Sequence, residues 1–576
     1  MPYNTILADV QNKVRPLLVE LYADSDKITD ELCNRFVHLI DDHLEQRSEE
    51  LKTFDKNNQA DWFKSSETIG YVLYADLFSP EAPQGQKLDA LKKQLNYFSK
   101  LGINLIHILP ILKSSGDAGF AVDDYEKVDE RFGTNEALQE LISEFHQQGI
   151  HIALDFVLNH VSDKHAWAVA ATSNDSHYHK FFIWSESGEP WEQVPDIFPD
   201  FAPGHWDYVK KLDQWIWSTF YKRRPLGYAK DQFDFAQWDL NYKNPDVLFG
   251  MLNYLLSLAN WGVDVFRLDA VPFLWKERGT SCTSRPQVHT ILKIFRLGLQ
   301  SVAPRAVFLA EANQHFEQLV EYFGQGDEVQ IAYHFSLMPY LWQAVTTGQV
   351  KNIQNVLTTR LPAIDKTHWW WVFSECHDDL SLEMLDAETA KKMADYFLDN
   401  GNLPFRQRQN EDFPRAISGT TFSLLQGDLE KIRLLWQLKL SLGWTPLFYM
   451  GEELGVENDL NYQKDPIRCK DSRFVKRVAL TEERKNRRLQ VESRESTWYN
   501  TLKELIAWRK QHPCLVKAPD FFDTGNPSVL GFAKQDEQQK MVIFANCSDL
   551  SQTVKVPSLG TMSLKPFEFL WKNVEI

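Results

Sequence analysis

The sequence predicts an α/β protein built on a closed (β/α)8 barrel of the TIM type. Three observations carry this. Eight short, nearly all-apolar runs are spread between Ile69 and Glu453. Most are followed by segments of helical period, as buried parallel strands require. At 576 residues the chain is also too long for one ordinary core, and a barrel of roughly 250 residues or more accounts for most of it.

Taken in order, residues 1–66 repeat apolar positions with helical spacing, as in "ITDELCNRFVHLIDDHLEQRSEELKTF", and form a helical N-terminal segment. The strand candidates then follow: "IGYVLYADLF", "INLIHILP", "IHIALDFVLNH", "GVDVFRLDA", "AVFLAEA", "VQIAYHF", "WWWVFSE" and "TPLFYMGEE". The first three fall in 67–159 and the remainder in 236–512, giving a barrel in two parts. Between them, residues 160–235 are rich in Trp, Pro, Asp and Phe and are far too long for a connecting loop, so they read as a small inserted domain. After the helix "TWYNTLKELIAWRKQHP", alternating runs such as "VLGFAK" and "KMVIFANC" predict an antiparallel β-sandwich over 513–576.

Composition narrows the partners. A net charge of −17 argues against nucleic acid, which needs clustered cations, and suits a neutral small molecule. The N-terminus lacks a basic flank before an apolar core, and no apolar run is long enough to span a bilayer. Six scattered cysteines without a CxxC pair read as free thiols, so the cytoplasm is the expected compartment.

In such a barrel the chemistry sits at the C-terminal ends of the strands. There the third run carries Asp155, Asn159 and His160, the fourth Arg267 and Asp269, and the fifth Glu311; the seventh runs into His377, Asp378 and Asp379. A lone carboxylate at a strand end is usually a helix cap or a solvated turn. Lone histidines such as His107 read as core or surface residues. Several carboxylates converging on one rim, with histidines and an arginine, instead form a glycosidase-like set, in which one carboxylate attacks and another donates and then accepts a proton.

"DFVLNH", "GVDVFRLDA", "FLAEA" and "ECHDD" resemble, in order, the four motifs of the α-amylase superfamily, glycoside hydrolase family 13, and "GDAGFAVDDY" is similar to its additional motif. The resemblance spans roughly residues 67–576. It implies retention of α configuration with Asp269 as nucleophile, Glu311 as acid and base, and Asp378 gripping sugar hydroxyls. Arg267 would hold Asp269 ionised, while His160 and His377 would donate to glucose hydroxyls. No metal or cofactor is implied by this mechanism, although some family members bind calcium beside the insert through an Asn near Asn159.

Within the family, "YADLF", "WIWSTF", "QWDLNY" and "KDSRF" resemble amylosucrases and sucrose hydrolases, whereas "FLAEANQHFEQLVEYFGQGDEVQIAYHFSLMP" and "HDDLSLEML" are similar to trehalose synthases. The first likeness implies a salt bridge from Asp117 to Arg473 closing the glucose pocket, with Phe120 stacking on the sugar. It also implies Asp379, Arg415, Phe220 and Gln237 around the second sugar. Three departures lie on that second-sugar side: Asn313 and Gln314 after Glu311, the insertion "YKRRPLGYAKDQFDFA", and the short stretch from Asp379 to Arg415. The leading expectation is a retaining enzyme that takes glucose from sucrose or a similar small α-glucoside and passes it to water or a sugar. A trehalose synthase-like isomerase, a phosphorylase and an inactive binding barrel are the alternatives.

Overall fold

The structure, a computed structural model, describes residues 3–22, 25–57, 61–116, 119–173, 175–198, 202–222, 235–314, 316–358, 368–406, 411–466, 468–556 and 560–574. Its centre is a closed parallel barrel of eight strands. These are β1 Gly70–Leu73, β2 Leu105–Ile108, β3 His151–Val157, β4 Val265–Asp269, β5 Val307–Ala310, β6 Ile331–Tyr333, β7 Trp369–Val372 and β8 Thr445–Tyr449. Each pairs with its neighbours in sequence, and β8 closes on β1 through Gly70↔Leu447. All eight apolar runs of the sequence are barrel strands. They are apolar throughout because one face lines the barrel interior and the other is covered by helices.

Three helices precede the barrel: Tyr3–Tyr22, Asp26–Gln46 and Glu49–Asn57. The second starts where the Ser25 hydroxyl accepts from the Ile28 N–H, and it buries Leu32, Cys33, Phe36, Ile40 and His43 along one stripe. Arg47, buried in an ion pair within this segment, also ties it to the barrel helix that follows the insert. Arg47 Nε lies 2.8 Å from Asp55 Oδ2, while Nη1 donates to the Ala259 carbonyl at the end of helix Pro245–Asn260.

The insert after β3 opens with Val161 paired to Trp238, so it leaves and rejoins the barrel on adjacent antiparallel strands, His160–Ser162 and Gln237–Asp239. Between them lies a three-stranded sheet of Trp184–Ser185, Trp206–Val209 and Gln214–Trp217. Residues 223–234, most of the insertion marked in the sequence, lie outside the described residues. At the C-terminus a four-stranded antiparallel sheet packs on a two-stranded one around Val529, Val542, Phe544, Val554, Met562 and Leu564.

One element has no counterpart in the sequence reading. Between β7 and β8, strands Leu380–Ser381, Ala416–Ser418 and Leu403–Phe405 form a small antiparallel sheet beside the rim. Each is only two or three residues long, too short to register as an alternating pattern. Among the described residues no helix is long and apolar enough to cross a membrane.

Removing one partner of a buried pair leaves the other charge uncompensated. Arg47→Ala is therefore expected to destabilise the chain by about 3–5 kcal/mol, read as a lower urea midpoint.

Candidate active site

A cavity of about 570 Å³ opens at the C-terminal ends of the strands, within the roughly 300–1,000 Å³ that holds a small ligand. Arg267 and Asp269 are two residues apart on β4 and so share the inward face. Opposite Arg267 in register stands Asp155 of β3. The result is one guanidinium among three carboxylates. Arg267 Nη1 lies 2.5 Å from Asp155 Oδ1 and 2.9 Å from Asp269 Oδ1, and Nη2 lies 3.1 Å from Glu311 Oε1. Beneath them His107 of β2 donates from Nε2 to Asp155 Oδ2 at 2.8 Å. The lone histidine of the sequence is thus a buried partner of the charge cluster.

Glu311 follows β5, and its Oε2 accepts the Ala270 N–H at 3.0 Å. Ala270 has φ 54°, a left-handed conformation that costs a non-glycine residue about 1–2 kcal/mol. That turn directs the N–H after Asp269 toward the neighbouring carboxylate. Burial raises both carboxyls against the pull of Arg267, Asp269 to about 6 and Glu311 to about 7. Each also raises or is raised by the other negative groups around it, so a proton held by the pair resides on Glu311.

Asp378 has its own partners. Its Oδ1 accepts from Arg473 Nη1 at 2.8 Å, and His377 Nε2 lies 3.2 Å from Oδ2. Burial alone would raise this carboxyl; His377 and the arginines outweigh it and hold Asp378 well below the usual carboxylate range. Burial also drives His377 down to about 3 and His160 to about 4, so both imidazoles are neutral donors at physiological pH. His160 gives its Nε2–H to the Phe120 carbonyl, and the Phe120 ring stacks on His377 with centroids 5.6 Å apart.

The cavity therefore gathers Phe120, His160, Phe220, Gln237, Arg267, Asp269, Glu311, His377, Asp378, Asp379, Arg415 and Arg473 in one lining. Asp117 lies outside the described residues. Arg473, expected to meet it, is bonded to Asp471 at 2.7 Å, to Asp378 and to the Tyr221 hydroxyl at 3.2 Å. Gln237 is buried, donating to the Phe120 carbonyl at 3.1 Å and accepting from the Tyr221 N–H. Arg415 sits at the mouth, held by Glu411 at 2.6 Å.

Sequence reasoning missed Arg406, Glu383, Asp471 and Lys276. Asp471 stands inside the quoted "KDSRF" and was recoverable from its spacing to Arg473; Arg406 carries no local signal. Lys276 bears on calcium. Its Nζ lies 2.5 Å from Asp239 Oδ2 and 2.5 Å from Asn159 Oδ1, so the oxygens between barrel and insert already face an ammonium and do not fit a divalent ion. Thr219 completes this lock through two hydrogen bonds to Asp239.

The chain resembles proteins of known name along most of its length. It is 34% identical over 402 residues to a trehalose synthase/amylase of Mycolicibacterium smegmatis, covering 69% of this chain and 64%, just under two thirds, of that protein. To a trehalose synthase/amylase of Mycobacterium tuberculosis it is 30% identical over 537 residues, 88% of this chain and 85% of the relative. The crystal structure of a sucrose 6F-phosphate phosphorylase from Thermoanaerobacter thermosaccharolyticum superposes with a TM-score of 0.69 at 20% identity, over 87% of this chain and 98% of that one, and shows the same fold. The family model for the α-amylase catalytic domain matches residues 52–398. With its closed parallel barrel and its carboxylates at the ends of successive strands, the chain belongs to the α-amylase family of glycoside hydrolases.

Proposed function

We propose that this protein is a retaining α-glucosyl-transfer enzyme that interconverts small neutral disaccharides such as maltose and trehalose, trehalose being the sugar in its relatives' names. The observation that carries the chemistry is the single guanidinium shared by Asp269 and Glu311, opposite an independently ionised Asp378. In this reading Asp269 attacks the anomeric carbon while Glu311 protonates the departing oxygen. The released glucose turns within the cavity and attacks the glucosyl ester through another hydroxyl, giving its proton to Glu311. Asp378 and His377 grip the sugar hydroxyls as the ring flattens, and Phe120 lies against the sugar face. Asp379, Phe220 and Arg415 lie toward the second sugar, with Gln237 fixing the loop beneath.

The likeness to trehalose synthases over most of the chain favours isomerisation over release to water. Sucrose cleavage is the second reading, supported by the "WIWSTF" and "QWDLNY" stretches at the insert. We further propose that the chain is cytoplasmic and divides at residues 66, 159, 235 and 512.

Incubation with maltose, trehalose and sucrose in turn, with every product identified, separates the readings. Interconversion of maltose and trehalose with little free glucose is expected; fructose from sucrose with no trehalose from maltose would transfer the assignment to sucrose. Asp269→Asn is expected to abolish turnover, by several orders of magnitude, with an unchanged circular dichroism spectrum. The pH profile of kcat/KM should be a narrow bell. Activity falls below about pH 6 as Asp269 gains its proton, and above about pH 7 as Glu311 loses the one it must donate.

A further inference from the structure

Five charged side chains form a continuous ladder at the mouth of the cavity. Glu383 lies between two arginines, 3.6 Å from Arg406 Nη1 and 3.5 Å from Arg415 Nη1. Arg415 is held on its other side by Glu411, whose carboxylate takes both Nε and Nη2. Arg406 turns Nη2 toward Asp379 Oδ1 at 3.5 Å. Both arginines come from the stretch around the short strands Leu403–Phe405 and Ala416–Ser418, and Glu383 follows Leu380–Ser381, so the ladder ties the small rim sheet together.

The ladder places two arginines against three carboxylates, Asp379, Glu383 and Glu411. Their sum is one negative charge, although the arginines taken alone would suit an anion. The hydrogen bonding points the same way. Asp379 is 2% exposed and lines the cavity, yet among the described residues its Oδ1 accepts no hydrogen bond and the buried Arg406 Nε donates none. Open acceptors and donors together suit a hydroxyl, which does both. A phosphate or carboxylate offers acceptor oxygens and negative charge, and would meet Asp379 and Glu383 with repulsion.

We infer that this mouth selects a neutral, hydroxyl-bearing second group and rejects anionic acceptors, with Glu383 as the residue that sets the choice. The inference rests on the glucosyl-transfer reading above, and it separates this chain from phosphorylases by charge. Removing the Glu383 charge leaves Arg406 and Arg415 balanced by Asp379 and Glu411, so the ladder loses its net negative charge. Phosphate could then open the glucosyl ester. Its oxygen would bond to the anomeric carbon, the bond to Asp269 would break with its electron pair returning to that carboxylate, and the phosphate proton would pass to Glu311.

Inorganic phosphate is the probe, applied to the full chain and to Glu383→Gln and Glu411→Gln, each first checked by thermal unfolding. Phosphate binding is measured by calorimetry on the free proteins, and glucose 1-phosphate is assayed with maltose present. Glu383→Gln is expected to bind phosphate at least about tenfold more tightly than the parent, with Glu411→Gln between them, because one like charge has been removed from the mouth. Glucose 1-phosphate should appear with the first variant and not with the parent. Equal phosphate affinity in all three proteins, or glucose 1-phosphate from the parent, would overturn the inference. Because binding is read without turnover, its failure is distinct from failure of the glucosyl-transfer reading, which the product experiment reports.

Discussion

The structure is organised around the Arg267 guanidinium. One positive charge is shared by Asp155, Asp269 and Glu311 in the barrel interior, and the group is short of cations by design of the strand register. Burying charge is costly unless each group is paired. His107 relieves part of the deficit by donating to Asp155, and the rest is relieved by a proton on one of the other two carboxyls. Glu311 is that carboxyl: it meets the shared guanidinium at 3.1 Å, accepts the Ala270 N–H, and is raised by burial and by Asp269 and Asp378 to about 7. Asp269, bonded to the guanidinium directly, is easier to ionise. Scarcity of cations thus divides the labour between two carboxyls that are chemically alike.

Elsewhere in the pocket the rule is reversed, and each carboxylate has its own partners. Asp378 is held by Arg473, itself gripped by Asp471, and stays ionised. Asp239 is paired with Lys276 and bonded by Thr219 and Asn159, which fastens the insert to the barrel beside the site. The contrast between Asp378 and Glu311 comes from the number of cations supplied to each, since both are half-buried on the same rim. The rim ladder follows the same logic at lower burial, where carboxylates outnumber arginines and leave the entrance slightly negative.

Adjacent acids in "ECHDD" also find their explanation here. Asp378 and Asp379 are neighbours in sequence, but one turns toward Arg473 and the other toward Arg406. Separate cations on separate elements hold the two charges, and the backbone turn after β7 sends the side chains apart.

By itself the sequence determined the barrel, the insert, the N-terminal helices and the residues at the strand ends. Hydrophobic runs and their spacing are local properties, and a period of two fixes which residues share a face, as with Arg267 and Asp269. It also carried the pocket lining, because the motifs sit at the ends of strands whose order the barrel imposes. Tertiary structure alone decided the partners. His107 belongs with Asp155, Lys276 with Asp239, and Glu383 with Arg406 and Arg415, and each pair joins elements whose mutual approach depends on register and loop path. The small rim sheet escaped for the same reason: its strands are too short to show a period and exist only because the chain returns across the mouth. Charge compensation is a property of distance in space, which residue order does not encode, so the tuning of the carboxyls became visible only in the folded molecule.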